Sequence, residues 1–149
     1  MPIPNLASNG ELPPGVHEAS LEELEQMFGS SNDRRKLLMK GLYGAVDVLK
    51  VGGVGKIFVD GSFTTDKEDP NDIDGCWSNE NADPDKLDKR FWDWKDVEEF
   101  EANRDQLKKE FGVDFFMAED TEGISMKPFP DFFQVNRDGE PKGIVQIKI

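Results

Sequence analysis

Hydrophobic positions in this chain fall into short runs separated by long polar stretches, and their spacing predicts most of the elements. Residues Met1 to Val16 are rich in Pro, Gly and Asn and read as an extended arm without regular structure. Ser20-Leu-Glu-Glu23 is a capping-box pattern, which starts a short helix ending near Phe28-Gly29. Ser31 or Asn32 caps a second helix from Asp33 to about Val51, where Leu38, Leu42, Ala45, Val46 and Leu49 recur at helical spacing. Gly52-Gly53 ends it. The apolar run Lys56-Ile-Phe-Val-Asp60 reads as a strand, and Ile73 to Trp77 as a second. Ser78 to Asp85 is a loop. A helical stretch is expected from about Pro84 to Phe111 with a break near Trp92, stopped by Gly112. Val113-Asp-Phe-Phe-Met117 reads as a third strand, and Ala118 to Asp131 as irregular chain. The end predicts a hairpin: Phe132 to Asn136, a turn at Arg137-Asp-Gly-Glu140, then Gly143 to Ile149, with Val145, Ile147 and Ile149 on one face. The order helix, strand, strand, helix, strand fits an α/β (α+β) fold, a small sheet backed by helices on one side. Residues 1–16 are the arm and 17–149 one domain.

Composition narrows the setting. At 149 residues the chain suffices for one core and not two. No run approaches a membrane span, so no membrane partner is expected. Met1-Pro-Ile-Pro-Asn-Leu6 lacks a basic region followed by an apolar stretch, which predicts no secretory leader. Cys76 is the single cysteine, so no internal disulfide is possible and a cytoplasmic setting is expected. The formal net charge is −13, and Asp60 to Glu101 holds 15 acidic against 5 basic residues. Such a field repels phosphate backbones. It disfavours nucleic acid and suits a basic protein partner, or it is simply a solvated surface.

The chemistry concentrates between the first two strands. On a strand, side chains two apart share a face, so Asp72 and Asp74 point the same way. Adjacent carboxylates repel unless a cation separates them, and Mg²⁺ prefers oxygen donors. Gly61-Ser62 ends the preceding strand and offers backbone N–H groups and a hydroxyl to an anion. Paired carboxylates beside an anion cradle are the minimum equipment for a metal–nucleoside triphosphate.

Gly61-Ser62 followed by Asp72-Ile73-Asp74 resembles the signature of the nucleotidyltransferase superfamily with the DNA-polymerase-β-type fold. Over most of its length from Gly10 the chain is similar to a small bacterial family of the minimal nucleotidyltransferase kind, described only as a domain of unknown function. The shared features are Leu12-Pro-Pro-Gly15, Val59-Asp-Gly-Ser-Phe63, Asp72-Ile-Asp74, Gly112-Val-Asp-Phe-Phe116 and Arg137-Asp-Gly139 with Lys142-Gly143. Asp60 before the Gly-Ser pair and Gly75 after the second aspartate depart from the superfamily's apolar preference. The resemblance implies a nucleotidyltransferase-like mixed sheet and transfer of a nucleotide, AMP from ATP first, with two Mg²⁺ ions. The acceptor is a protein or small molecule, in a toxin–antitoxin or defence setting. Two metals need a third carboxylate, and the resemblance places it at Asp114. Asp72 and Asp74 then bind metal, and Asp114 binds metal and orients the nucleophile or acts as base. Gly61 and Ser62 hold the terminal phosphates, with Lys67 as a further phosphate ligand. The alternative on the same fold is a non-catalytic acidic binding or antitoxin module.

Other residues have plainer readings. His17, alone and without a nearby ligand partner, reads as structural or solvated. Cys76 reads as a small buried residue. Trp77, Trp92 and Trp94 read as core fillers, with base stacking as the other use. Arg34, Arg35, Lys36 and Lys40 read as a solvent stripe on the second helix, or as a meeting point for phosphate or an acidic partner. The Asp-rich loop lacks the EF-hand frame, which ranks calcium low.

Overall fold

Local capping sets the first two helices. The computed structural model describes residues 3–149. Helix α1 (Leu21–Phe28) opens on Ser20, whose Oγ accepts the Glu23 N–H at 3.1 Å while Glu23 Oε1 accepts the Ser20 N–H at 3.2 Å. Helix α2 (Asp33–Val51) opens on Asn32, whose side chain accepts the Arg35 N–H at 2.8 Å. Helix α3 (Val97–Phe111) opens on Asp96 and stops at Gly112, as expected. Strands β2 (Lys56–Asp60), β3 (Ile73–Trp77) and β4 (Val113–Met117) lie where the hydrophobic runs place them.

The molecule is mixed α+β. With β1 (Gly15–Ala19) and β5 (Gly143–Lys148), the strands form one five-stranded sheet in the order β1-β5-β2-β3-β4. β3 and β4 are parallel because α3 carries the chain back between them. β1 and β5 are also parallel, and β2 is antiparallel to both of its neighbours. Ile57, Val59, Ile73, Val113, Phe115, Val145 and Ile147 face α1–α3 and pack against Leu24, Leu38, Leu42, Leu49 and Leu107. On the opposite face Phe58, Cys76 and Ile144 lie under Phe133, with Phe116, Phe129 and Phe132 packed around them. That second cover is partial, and beyond it the same face carries Asp60, Asp74 and Asp114.

Four expectations need correction. First, the N-terminal arm does not run to Val16: Gly15 and Val16 already belong to β1, and Leu12 is buried. Pro13-Pro14 and the polar His17-Glu18 concealed an edge strand whose partner lies more than a hundred residues away. Residues 3–14 hold no helix or strand, and Met1 and Pro2 lie outside the described residues. Second, residues 84–96 are not a helix broken near Trp92. They form turns and a 3-10 turn at Lys89–Phe91, because Asp88 and Asp96 accept the Arg90 and Glu99 N–H groups and draw the backbone out of α-geometry.

Third, the C-terminal hairpin is reduced to its turn and second strand. The Asn136 N–H donates to Glu140 O and Val135 bridges Pro141. The expected first arm, Phe132 to Asn136, is not a strand: Phe132 is the last residue of α4 (Phe129–Phe132), and turn residues and the single Val135 bridge follow it. Both edges of β5 are already taken by β1 and β2, so no edge is left for a hairpin partner. Fourth, Arg35 is not part of a solvent stripe. It is 3% exposed, and its guanidinium donates to four carbonyls described below.

Candidate metal centre

The register of three strands sets the site. Asp60 pairs with Asp74 across β2–β3, and Asp74 with Asp114 across β3–β4. Directly opposed residues stand about 5 Å apart at Cβ, so three carboxylates lie in a row on the sheet face away from α1–α3. Asp72, just before β3, joins them: carboxylate oxygens of Asp72, Asp74 and Asp114 all lie within 4.8 Å of one another.

Cations compensate this row unevenly. At one end Lys142 Nζ lies 2.9 Å from Asp60 Oδ1, and Asp60 is 3% exposed. Burial pushes the Asp60 carboxyl up, and Lys142 opposes that. At the other end Arg104 grips Asp114 with both arms, Nε to Oδ1 at 3.0 Å and Nη2 to Oδ2 at 2.8 Å. The Arg104 guanidinium itself lies over the Phe116 ring at 5.1 Å and the Phe100 ring at 5.6 Å. Lys108, one turn further along α3, stands 3.5 Å from Asp114 and 3.8 Å from Asp72. Asp74, in the centre, has no cation within ion-pair distance among the described residues. Burial first, then the Asp72, Asp114 and Asp60 charges, push its carboxyl up to about 7. Burial also raises Asp72, with Lys108 opposing. Four carboxylates thus face three cations, and the deficit falls on Asp74. An all-oxygen donor set with one uncompensated negative charge suits a hard divalent cation such as Mg²⁺.

The turn after β2 is shaped around Asp74. Gly61 has φ +79°, and a Cβ there would overlap Asp74 Oδ2. Only glycine allows the backbone to approach that carboxylate so closely. Gly75 has a comparable reason: a Cβ would overlap Phe58 O, and the Phe115 ring packs against the space.

Residues 61–64 form a 3-10 turn in which Thr64 Oγ1 donates to Gly61 O at 3.2 Å, and Thr65 Oγ1 donates to Ser62 O at 2.7 Å. Arg35 fixes the loop that follows, donating to Phe28 O at 3.0 Å, Phe63 O at 2.7 Å, Thr65 O at 2.9 Å and Lys67 O at 2.6 Å. Arg34 donates to Pro70 O at 2.9 Å and to Asn71 O. The first helical turn of α2 therefore ties Gly61-Ser62 to Asp72-Ile-Asp74. Lys36 and Lys40 are exposed, as expected.

Gly61, Ser62, Lys67, Asp72 and Asp74 all line one cleft of about 630 Å³, and Asp114 stands beside Asp74 at its edge. The six residues expected to hold metal or phosphate therefore lie in one region of the molecule. In the sequence Arg104, Lys108 and Lys142 carried no assigned role, and Asp60 was marked only as a departure from a pattern. The 104/108 spacing, on the helix that leads into Asp114, was the available signal. Lys142 stood in the sequence only as part of the Arg137-Asp-Gly139 with Lys142-Gly143 motif, with no role attached. His17 Nε2 lies 2.6 Å from Pro13 O, a structural role. Cys76 is buried, Trp77 sits in the core and Trp92 packs against it. Trp94 lines a separate aromatic pocket with Phe100 and Phe116.

Fold and site define a small α+β domain with a clustered carboxylate centre at the open end of its sheet. The chain belongs to the family described as "Family of unknown function (DUF6932)", whose model matches residues 4–148. No curated protein and no solved structure matches it. Among the described residues no helix is long and apolar enough to cross a membrane.

Proposed function

We propose that this protein is a Mg²⁺-dependent nucleotidyltransferase that moves a nucleotide, AMP from ATP first, onto a protein or small-molecule acceptor. The observation that carries the reading is Asp74: a largely buried carboxylate with no cation in ion-pair range among the described residues, flanked by Asp72 and Asp114 and abutting the Gly61-Ser62 turn. A cleft of about 630 Å³ on that turn has room for a triphosphate. The acidic surface between Asp60 and Glu101 favours a basic protein as acceptor.

Asp72, Asp74 and Asp114 are the residues to hold metal. Mg²⁺ bound there supplies the positive charge that stabilises attacking and leaving oxygens during phosphoryl transfer. The chain's own groups position the reactants. Ser62 and Lys67 hold phosphate oxygens. Asp114 orients the acceptor, and its two-armed bond to Arg104 suits orientation better than proton abstraction, because a guanidinium stabilises the charged carboxylate. In the transfer, the acceptor oxygen bonds to the α-phosphorus and the α–β bridging P–O bond breaks. Pyrophosphate leaves with the electron pair, and the acceptor's proton is released to water. Incubating the chain with α-labelled ATP, Mg²⁺ and cell lysate, beside a double Asp72→Ala, Asp74→Ala variant, tests this. Label transfer lost in the variant is expected; equal transfer by both overturns the reading.

A further inference from the structure

The aromatic pocket is open, and a loop rising from its rim carries apolar side chains that nothing within the chain covers. The pocket, of about 250 Å³, is walled by Trp94, Phe100, Phe116 and Phe129. The Trp94 and Phe100 rings stand 4.7 Å apart, and Phe116 and Phe129 stack at 4.5 Å. Asp120 and Thr121 line it as well, so the loop 122–127 begins and ends at its edge.

That loop is a rigid projection. Thr121 bridges Pro128 at its base, and the Glu122 N–H donates to Lys127 O at 2.9 Å. The Glu122 carboxylate accepts the Ile124 N–H at 3.1 Å and the Ser125 N–H at 2.7 Å, and the Glu122 carbonyl accepts the Met126 N–H at 2.9 Å. Met126 has φ +58° and is the one non-glycine residue with positive φ among the described residues. A left-handed backbone is costly for a long side chain and persists only where its surroundings enforce it. Here it presents Met126, 68% exposed, beside Ile124, 94% exposed. Shape and composition together fit the loop for an apolar contact outside its own chain.

We infer that the loop 122–127 of one copy seats in the aromatic pocket of a second copy, with Met126 among the rings, and that the exchange is reciprocal about a two-fold axis. Projection and pocket share a rim, so the rotation that seats one loop seats the other, and every contact is made twice. A flexible thioether suits a pocket of aromatic walls. The charges match as well: the loop carries Glu122 and Lys127, and the pocket offers Arg90, Arg104 and Asp120. Each of those guanidiniums has five N–H donors and uses three within the chain, which leaves donors for a further carboxylate. The association is independent of any transfer at the carboxylate centre.

The test is sedimentation velocity of the full chain from about 1 µM to about 1 mM, at about 0.15 M salt to screen the net charge of the two copies. Wild type is expected to pass from monomer to dimer as concentration rises. Met126→Glu and Ile124→Glu alter exposed loop side chains, and Trp94 lies outside the buried core, so Trp94→Ala opens the pocket alone; circular dichroism checks that each variant is folded. Each should weaken dimerisation by about tenfold or more. In an equimolar mixture of Met126→Glu and Trp94→Ala, the first supplies a sound pocket and the second a sound loop, which restores one of the two contacts. The mixture should associate more tightly than either variant alone and less tightly than wild type. Wild type that stays monomeric throughout overturns the inference, and so does a dimer that the three variants leave unchanged. Weakening by the loop variants without weakening by Trp94→Ala seats the loop elsewhere and overturns the pocket. A mixture no tighter than its separate components overturns the reciprocal exchange.

Discussion

Asp60 and Asp74 face each other directly across the β2–β3 ladder, yet Lys142 pairs with the first, and among the described residues no cation lies within ion-pair distance of the second. That asymmetry makes Asp74 the most proton-demanding group in the centre. Its carboxyl is pushed up to about 7 from an ordinary value near 4. Between those values the folded state binds a proton that the unfolded chain has released. Stability from this group is therefore present below about pH 4 and is lost as pH rises through 7. In metal-free protein Asp74→Asn is expected to raise stability by about 2 kcal/mol at pH 8 and to leave it unchanged at pH 4. Thermal unfolding in a chelator at both pH values checks this. An equal effect at the two would show that Asp74 is already compensated. Added Mg²⁺ should stabilise wild type at pH 8 and not the variant.

Gly61 separates backbone strain from damage to the site. Gly61 and Gly139 share φ +79°, but a Cβ at Gly139 meets nothing within 4 Å, whereas one at Gly61 overlaps Asp74. Each Gly→Ala change carries a left-handed-backbone penalty of about 1 kcal/mol. Gly61→Ala should additionally displace the Asp74 carboxylate, weakening Mn²⁺ binding at least tenfold, while Gly139→Ala binds Mn²⁺ as wild type does. Equal Mn²⁺ affinities in the two variants would mean that the turn is not fitted to Asp74.

Periodicity exposed whatever was local and amphipathic. Helices α1 and α2, strands β2 to β4 and the shared face of Asp72 and Asp74 could all be read from spacing and caps. β1 could not, because its parallel partner β5 lies at the other end of the chain and its own residues alternate weakly. The first arm of the C-terminal hairpin, Phe132 to Asn136, looked apolar enough for a strand, but its Phe132 and Phe133 rings instead join Phe129 in covering Phe58 and Cys76. Within the site the carboxylates were visible as a motif. Their counter-ions were not, because Lys142 and Arg104 meet Asp60 and Asp114 only through the sheet's register and the packing of α3. Arg35 was misread for a related reason: its acceptors are main-chain carbonyls, which no side-chain pattern announces.

Arg35 is therefore a test of how the site loop is held. Its buried guanidinium serves four carbonyls from three segments, and lysine has too few donors and no planar fork to replace it. Arg35→Lys is expected to destabilise by about 2 kcal/mol and Arg35→Ala by about 3 kcal/mol or more. The Thr65–Asn71 amides should lose protection from hydrogen exchange before the sheet does. Exchange that rises uniformly across the molecule would place Arg35 in the general core rather than in the loop.

Arg104 offers the sharpest separation of binding from transfer. It orients Asp114 through two hydrogen bonds, while Ser62 and Lys67 lie on the other flank of Asp74. Arg104→Gln leaves a nearly buried carboxylate with only Lys108 beside it, at 3.5 Å. Destabilisation of about 2 kcal/mol is expected, because a nearly buried carboxylate has lost both of its hydrogen bonds to Arg104. Mg²⁺–ATP affinity should fall by less than tenfold, since Asp72 and Asp74 are untouched. If the proposed transfer takes place, it should fall by a hundredfold or more, because Asp114, proposed to position the acceptor, has lost its fixed orientation. Paired measurements of ATP affinity and single-turnover transfer decide the matter. A proportional loss of both would make Arg104 a structural clamp alone, whereas a selective loss of transfer, partly restored by Arg104→Lys, would assign it to positioning Asp114.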